Sequence, residues 1–462
     1  MLERKMLSKL KSWKEAGARK VFVLLGARQT GKTHVVRHFA RESYESFVEV
    51  NFLDRKEDAA FLAEADGAQE LLSRLSLIEG RSIPEGSLIF LDEVQRIGAD
   101  MVTLSKFVVE DGRFDLVISG SLLGTVLEGV TSFPVGYARV ERMFPLDFQE
   151  FCWAVGVPDA ILDRVREAYE RKEPVSDVLH ERMTKVFRQY IAVGGMPQAV
   201  QSFLDNHRAL GSAREVDSEV VEQYRYDISK YAASAHRPVI QAIFDNVPSQ
   251  LSKENKRFMM RSVKHGAPFD RLADDFAWLT KAGVALPAHL VSEPRYPLER
   301  TKVVEKFKLY SSDCGLLLSQ YPVGAAMRVT EGSGDANFGA VYENVVAQEL
   351  LASGFPLRYY HHTKRGEVDF LIETADGSVL PIEVKSGKDY KLHTALNNLL
   401  GTAEYGIERA YVLSEHNVSA GERKGKPVHY LPLYMTMCLA SEKGEQSLAD
   451  TVLEPVGFED LL

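Results

Sequence analysis

The feature that most constrains this chain is an apolar run, Val21 to Leu25, that enters Gly26-Ala27-Arg28-Gln29-Thr30-Gly31-Lys32-Thr33 and continues into a helical stretch, His34 to Arg41. Strand, G-x-x-x-x-G-K-[ST] and helix in that order make a loop that wraps phosphate. Gly26 and Gly31 let the backbone turn so that successive N–H groups point inward. Lys32 places a cation between the β- and γ-phosphates, and the Thr33 hydroxyl ligates Mg²⁺. The helix that follows aims its positive end at the same charge. ATP and Mg²⁺ are therefore the expected cofactors, held by Gly26, Ala27, Arg28, Gln29, Thr30, Gly31, Lys32, Thr33 and His34.

A second apolar run, Ser87 to Leu91, ends in two carboxylates. Asp92 is placed to hold Mg²⁺ through water, and Glu93 to polarise the attacking water. A third run, Phe114 to Ser121, ends in small hydroxyl residues, where Ser119 can sense the γ-phosphate. A phosphate cradle alone suits a kinase or a bare binder, whereas the acid pair favours hydrolysis with Lys32 and Glu93 as the catalytic groups. Strand and helix alternate through the first 150 residues, which predicts a parallel α/β sheet with its site at the strand C-termini.

GARQTGKT, LIFLDEVQR and VISGS resemble the AAA-type ATPases of prokaryotes that carry an uncharacterised C-terminal region. The resemblance continues through Phe133-Pro134-Val135-Gly136, Pro145 to Phe151, Gly194-Gly195-Met196-Pro197 and Tyr224 to Lys230, and so covers nearly the whole chain. It implies a helical lid whose Pro197 packs on the adenine. Where relatives often carry a basic residue after Pro-Val-Gly, this chain has Tyr137, and Arg139 and Arg142 are the nearest cations. The arginine that completes such sites is therefore unassigned; Arg188 and Arg225 are further candidates from the lid.

Residues 150–235 read as helices, with apolar positions at three and four spacing in Ile161, Val165, Ala168 and in Val186, Tyr190, Val193. Residues 240–310 read as a winged helix, with one helix capped at Asn246 to Leu251, another over Ser262 to Leu279, and wing strands at Leu290-Val291 and Val304 to Tyr310. This segment holds twelve Lys and Arg against eight Asp and Glu, so it is locally positive in a chain of net charge −9. It suits DNA phosphates, transmission of the nucleotide state, or self-association.

A second constellation lies near the end. The helix Phe338 to Ser353 carries Glu343, the strand Gly366 to Ile372 carries Glu367 and Asp369, and Asp376-Gly377 marks a hairpin turn. The returning strand, Val379 to Lys385, carries Glu383 and Lys385 on one face. Pairing the two strands gathers Asp369, Glu383 and Lys385. This cluster resembles the PD-(D/E)XK nuclease site, with Glu343 as the helix acid. The resemblance implies Mg²⁺ held by Glu343, Asp369 and Glu383, and Lys385 as a catalytic group acting on water and phosphoryl charge.

At 462 residues the length suits about three domains. The fold expected is α/β: an AAA-type P-loop core over 1–155, a helical lid over 156–238, a winged-helix-like domain over 239–330, and a restriction-endonuclease-like domain over 331–462. Three well-separated cysteines exclude zinc-finger spacing, and no run approaches the roughly 20 apolar residues of a membrane span. A cytoplasmic, soluble chain is expected. Two functions fit. One is an ATPase whose cycle is coupled to a nuclease-like domain acting on nucleic acid. The other is a nucleotide-operated switch for a protein partner or a second copy, with a C-terminal domain that does not cleave.

Overall fold

The computed structural model describes residues 2–17, 20–53, 56–96, 100–121, 136–253, 255–264, 266, 268–332, 338–387, 390–391 and 393–444. Phe133, Pro134 and Val135 lie outside them. The chain begins α1 (Lys5–Glu15), β1 (Val21–Leu25), α2 (Lys32–Ser43), β2 (Phe47–Asn51), α3 (Lys56–Ala63), α4 (Ala68–Glu79), β3 (Leu88–Asp92), α5 (Asp100–Asp111), β4 (Asp115–Gly120) and β5 (Ala138–Arg142). Helices follow: α6 (Phe148–Ala154), α7 (Asp159–Arg171), α8 (Asp177–Val193), α9 (Pro197–Asp205), α10 (Leu210–Tyr231), α11 (Arg237–Leu251) and α12 (Ala273–Lys281). Next come β6 (Ala285–Val291), β7 (Lys302–Ser311), α13 (Cys314–Ser319), α14 (Gly324–Glu331) and α15 (Gly339–Ala352). The last part is β8 (Arg358–His362), β9 (Gly366–Val368), β10 (Phe370–Glu373), β11 (Val379–Val384), α16 (Thr394–Leu400), β12 (Ala410–Ser414), β13 (Ser419–Arg423) and β14 (Lys426–Pro432).

These elements form two compact units, each assembled from separate stretches of chain. The first contains residues 1–159, 185–287 and 308–336; the second contains 160–184, 288–307 and 337–462. The divisions fall after the first residue of α7, within α8, β6 and β7, and between residues 336 and 337.

The first unit is built on a sheet of order β2-β3-β4-β1-β5, parallel at every pairing. Period-two alternation sends successive residues to opposite faces. Val21 and Val23 of β1 join Ile89, Leu91 and Ile118 in one core, while Phe22 and Leu24 join Leu88, Phe90 and Val117 in another. Helices α3 and α4 cover the first core with Leu62, Leu71 and Leu75, and α1 and α2 cover the second with Leu10, Trp13, Val36 and Phe39. A parallel sheet buried on both faces is the arrangement the alternating strand–helix pattern predicts.

The winged-helix expectation changes in detail. Asn246 to Leu251 is the last part of α11, not the start of a helix. Among the described residues of Ser262 to Leu279, only α12 is α-helical, preceded by the short 3₁₀ turns Met260–Ser262 and Phe269–Arg271. The wing strands form, but His289 to Val291 of β6 pair in parallel with Arg358 to Tyr360 of β8, so β6 is a sheet strand with a second neighbour. A wing would leave that edge to solvent.

In the second unit the sheet order is β10-β11-β12-β14-β13. The Asp376-Gly377 turn forms as predicted: Gly377 adopts φ 74°, and β10 pairs antiparallel with β11. The strand expected over Gly366 to Ile372 instead breaks at Asp369. Its first half, β9, pairs with β8, and its second half, β10, pairs with β11. Residues Ala340 to Leu350 of α15 are buried in unbroken succession, as in a helix enclosed on all sides.

Candidate nucleotide site

The C-terminal ends of β1, β3 and β4 meet where the phosphate loop turns into α2. Gly26 (φ 153°) and Gly31 (φ 92°) adopt backbone angles that a side chain would strain, and a Cβ at Gly26 would lie 2.3 Å from the Met143 carbonyl oxygen. Gln29 and Glu93 take left-handed conformations without being glycine (φ 64° and 58°). Such strain persists only where the surroundings hold it, and it concentrates at functional sites.

The loop's carbonyls are tied both by its own side chains and by neighbours. Lys32 Nζ donates to the Gly26 and Ala27 carbonyls at 2.9 and 2.8 Å, and the Thr30 hydroxyl also donates to Ala27, at 3.0 Å. The Tyr224 hydroxyl donates to the Arg28 carbonyl at 3.1 Å, and Arg4 Nη1 to the Thr30 carbonyl at 2.8 Å. Carbonyls engaged outward leave the amides to face an anion.

Behind the loop lie the acids. Thr33 Oγ1 donates to Asp92 Oδ2 at 2.7 Å, Asn51 Nδ2 donates to the same oxygen at 3.2 Å, and the Ser119 hydroxyl donates to Oδ1. The Ser121 hydroxyl donates to Glu93 Oε1 at 2.7 Å, and Gln95 to Oε2. Burial raises the Asp92 pKa against the opposing pull of its Ser119 and Thr33 bonds. Burial also pushes the Lys32 ammonium down to about 8, although Glu93 and Asp92 favour its charge. The Thr33 hydroxyl and the Asp92 carboxylate, already in contact, are the hard oxygen donors that Mg²⁺ takes, so these residues fit the ion.

A cavity of about 700 Å³ opens over this group. Arg28, Gln29, Gly31, Lys32, Thr33, His34 and Glu93 line it, and so does Pro197 at the start of α9. Of the expected nucleotide residues, Gly26, Ala27 and Thr30 shape the loop from behind, and Ser119 reaches the site through Asp92. Arg139, Arg142, Arg188 and Arg225 do not line the cavity; Arg139 pairs with Glu141, and Arg225 with Asp245 and Glu222.

Sequence reasoning missed several contributors. Arg4, near the chain start, reaches the loop and forms a buried pair with Glu150 at 3.0 Å, while Glu150 completes the capping box of α6 with Asp147. Asp227 on α10 binds Arg28. Glu150 and Asp227 sit inside quoted resemblance motifs, Pro145 to Phe151 and Tyr224 to Lys230, which were the available signal. Ser121 was noted only as a strand-end hydroxyl. Gly195 accounts for a third motif: its N–H donates to Asp313 Oδ2 at 2.6 Å, and a Cβ there would lie 2.1 Å from the Leu146 carbonyl oxygen.

The second unit places Lys385 beside Glu383, with Nζ 2.8 Å from Oε1. Burial lowers the Lys385 pKa, but the charges of Glu383, Asp369 and Glu343 outweigh it and the net shift is upward. Asp369, at the break between β9 and β10, accepts the Val384 N–H at 2.8 Å. All three acids are buried. Their charges all bear on the lysine, yet among the described residues no three His, Cys, Asp or Glu side chains form a group able to hold a metal ion.

The parallel sheet, the strained glycine loop and the Lys–Thr–Asp–Glu set define a P-loop nucleotide-binding domain. Residues 18–152 match the family model of an AAA domain, a likeness that supports ATP binding. Residues 184–326 and 338–434 match two domains of unknown function, DUF8612 and DUF4143. No curated protein matches the chain. Solved structures that match include the Walker-type ATPase PABY2304 of Pyrococcus abyssi, at 13% identity over 70% of this chain and 96% of that one, with a TM-score of 0.42. The Thermotoga maritima RuvB Holliday junction branch migration motor matches at 13% identity over 66% and 92%, with a TM-score of 0.31. C. elegans PCH-2 matches at 12% identity over 41% and 59%, with a TM-score of 0.26. Among the described residues, no helix is long and apolar enough to cross a membrane.

Proposed function

We propose that the protein is a Mg²⁺-dependent ATPase whose nucleotide cycle is coupled to a nuclease-like C-terminal domain acting on nucleic acid. The observation that carries the ATPase reading is Lys32, Thr33 and Glu93 lining one cavity, with Asp92 bonded to Thr33 behind it. Lys32 binds the β- and γ-phosphates, Thr33 and Asp92 hold Mg²⁺, which neutralises developing phosphate charge, and Glu93 orients and deprotonates water. Pro197 packs on the adenine. What supports the nuclease-like reading is the charge of Glu343, Asp369 and Glu383 bearing on Lys385, and the excess of Lys and Arg over Asp and Glu in residues 240–310 suits phosphate.

A second reading, a nucleotide-operated switch for a protein partner or a second copy, is favoured by one observation. The three acids do not form a cation cage, and Lys385 occupies the charge balance that a metal would take. We derive no cleavage step through a metal there.

Both parts are tested on the purified full chain. Lys32→Ala is expected to abolish ATP turnover, and unchanged turnover would sink the ATPase reading. Single-stranded, duplex and branched DNA are incubated with Mg²⁺, with and without ATP, and resolved on gels. Cutting that disappears in Asp369→Ala/Glu383→Ala supports the coupled nuclease. Salt-sensitive DNA binding that raises ATP turnover supports action on nucleic acid, and turnover indifferent to DNA supports the switch.

A further inference from the structure

Three arginines line the nucleotide cavity: Arg4, Arg28 and Arg37. Two are committed elsewhere. Arg4 donates to Glu150, the Thr30 carbonyl and the Phe144 carbonyl, and Arg37 makes a two-pronged pair with Glu49 at 2.7 Å on each arm.

Arg28 is different. It is the third residue of the phosphate loop, in the same cavity as Lys32 and Glu93. It feels the charge of Glu93, and Lys32 feels its charge. Its guanidinium is turned to α10, where Nη1 meets Asp227 Oδ1 at 2.5 Å and Nη2 meets the Tyr231 hydroxyl at 3.1 Å. Its buried Nε makes no hydrogen bond among the described residues. Gln223, which also lines the cavity, donates to the same Asp227 oxygen at 3.1 Å and so steadies the carboxylate.

We propose that Arg28 is a catalytic arginine supplied within the chain, and that Asp227 and Tyr231 form a latch that holds it back until ATP fills the cavity. This rests on the ATPase reading above. A guanidinium fork fits two phosphate oxygens as it fits a carboxylate, so moving from Asp227 to the γ-phosphate exchanges one charge-assisted pair for another. Nε gains an acceptor in the exchange, which removes an unsatisfied buried donor. In hydrolysis the water oxygen bonds to Pγ while the bond from Pγ to the bridging oxygen breaks, and its electron pair leaves with ADP. Glu93 takes the water proton, and Arg28 balances the negative charge spread over the equatorial oxygens of Pγ. Asp227 touches none of these atoms and is a positioning residue.

The test uses full-length protein with Mg²⁺, thermal unfolding to confirm folding, steady-state ATP turnover, and equilibrium binding of ADP and of a non-hydrolysable ATP analogue. Arg28→Ala is expected to lower kcat by at least about a hundredfold with KM changed only a few-fold, since an arginine at this step is worth roughly 10³–10⁵ in kcat. Arg28→Lys restores only part of the loss, because a point charge lacks the fork. Asp227→Asn releases the latch and raises kcat several-fold, a gain absent from the Arg28→Ala/Asp227→Asn double variant. A merely structural Asp227 would lower kcat together with the melting temperature. Turnover by Arg28→Ala within twofold of wild type, or a fall in Asp227→Asn, overturns the proposal. If the wild type binds ATP without hydrolysing it, the affinity ratio of analogue to ADP decides: a fall in Arg28→Ala supports γ-phosphate contact, and an unchanged ratio refutes it. A wild type that binds neither nucleotide overturns the ATP reading itself, and the proposal with it.

Discussion

Lys32 sits with its amine against two carbonyl oxygens and Ser121, so the fold itself satisfies the group that binds phosphate. Enclosure costs the ammonium form, and its pKa falls to about 8. The sign follows. Below pH 8 the lysine enters the complex charged; above it, ATP binding must first recruit a proton. Nucleotide affinity is expected to weaken about tenfold between pH 7 and pH 9, following the protonated fraction. A Lys32→Arg variant, which stays charged throughout, should show a flat profile over the same range. Titration of a fluorescent nucleotide at the two pH values checks this. At this scale the loop was legible, because phosphate chemistry demands fixed residue types at adjacent positions. Arg4 was not, because nothing in the sequence around it marks its reach to the Thr30 carbonyl, and Asp227 was marked only by the resemblance over Tyr224 to Lys230.

Among the elements, α10 carries a buried acid, Asp217, neither of whose carboxylate oxygens makes a hydrogen bond among the described residues. Burial, reinforced by the Asp313 charge and only partly offset by Arg214, holds its pKa well above the usual carboxylate range. An acid whose folded pKa is raised contributes most stability below its unfolded value, and that contribution is lost as pH rises through the folded value. Asp217→Asn is therefore expected to raise the melting temperature by a few degrees at pH 8, with little or no gain at pH 4.5, measured by thermal unfolding. The same contrast governs what could be read of the elements. The β10–β11 hairpin announces itself in Asp376-Gly377, a local turn signal. The break at Asp369 does not, because strand alternation looks identical whether a strand stays in one sheet or passes to another. For the same reason β6 and β7 were recognisable as strands, while the partner of β6, β8, lay too far along the chain to be inferred.

Across the whole molecule, the cut points matter more than the family boundaries. A chain ending at residue 336 keeps 160–184 and 288–307, which belong to the second unit, without the segment 337–462 that completes it. The reverse fragment, 337–462, lacks the β6 residues that pair with β8. Neither fragment is expected to fold cooperatively alone. Soluble yield and the sharpness of thermal unfolding check this, and a fragment that melts like the intact chain would refute it.

That interleaving also sets a timetable on the ribosome. Roughly 150 residues separate Thr184 from Asn337, so the α7 region emerges and then waits for its partners. At about 5–20 residues per second the delay is on the order of ten to thirty seconds. During that interval Tyr169, which in the finished protein packs on Tyr411 and donates to Glu442, waits for both.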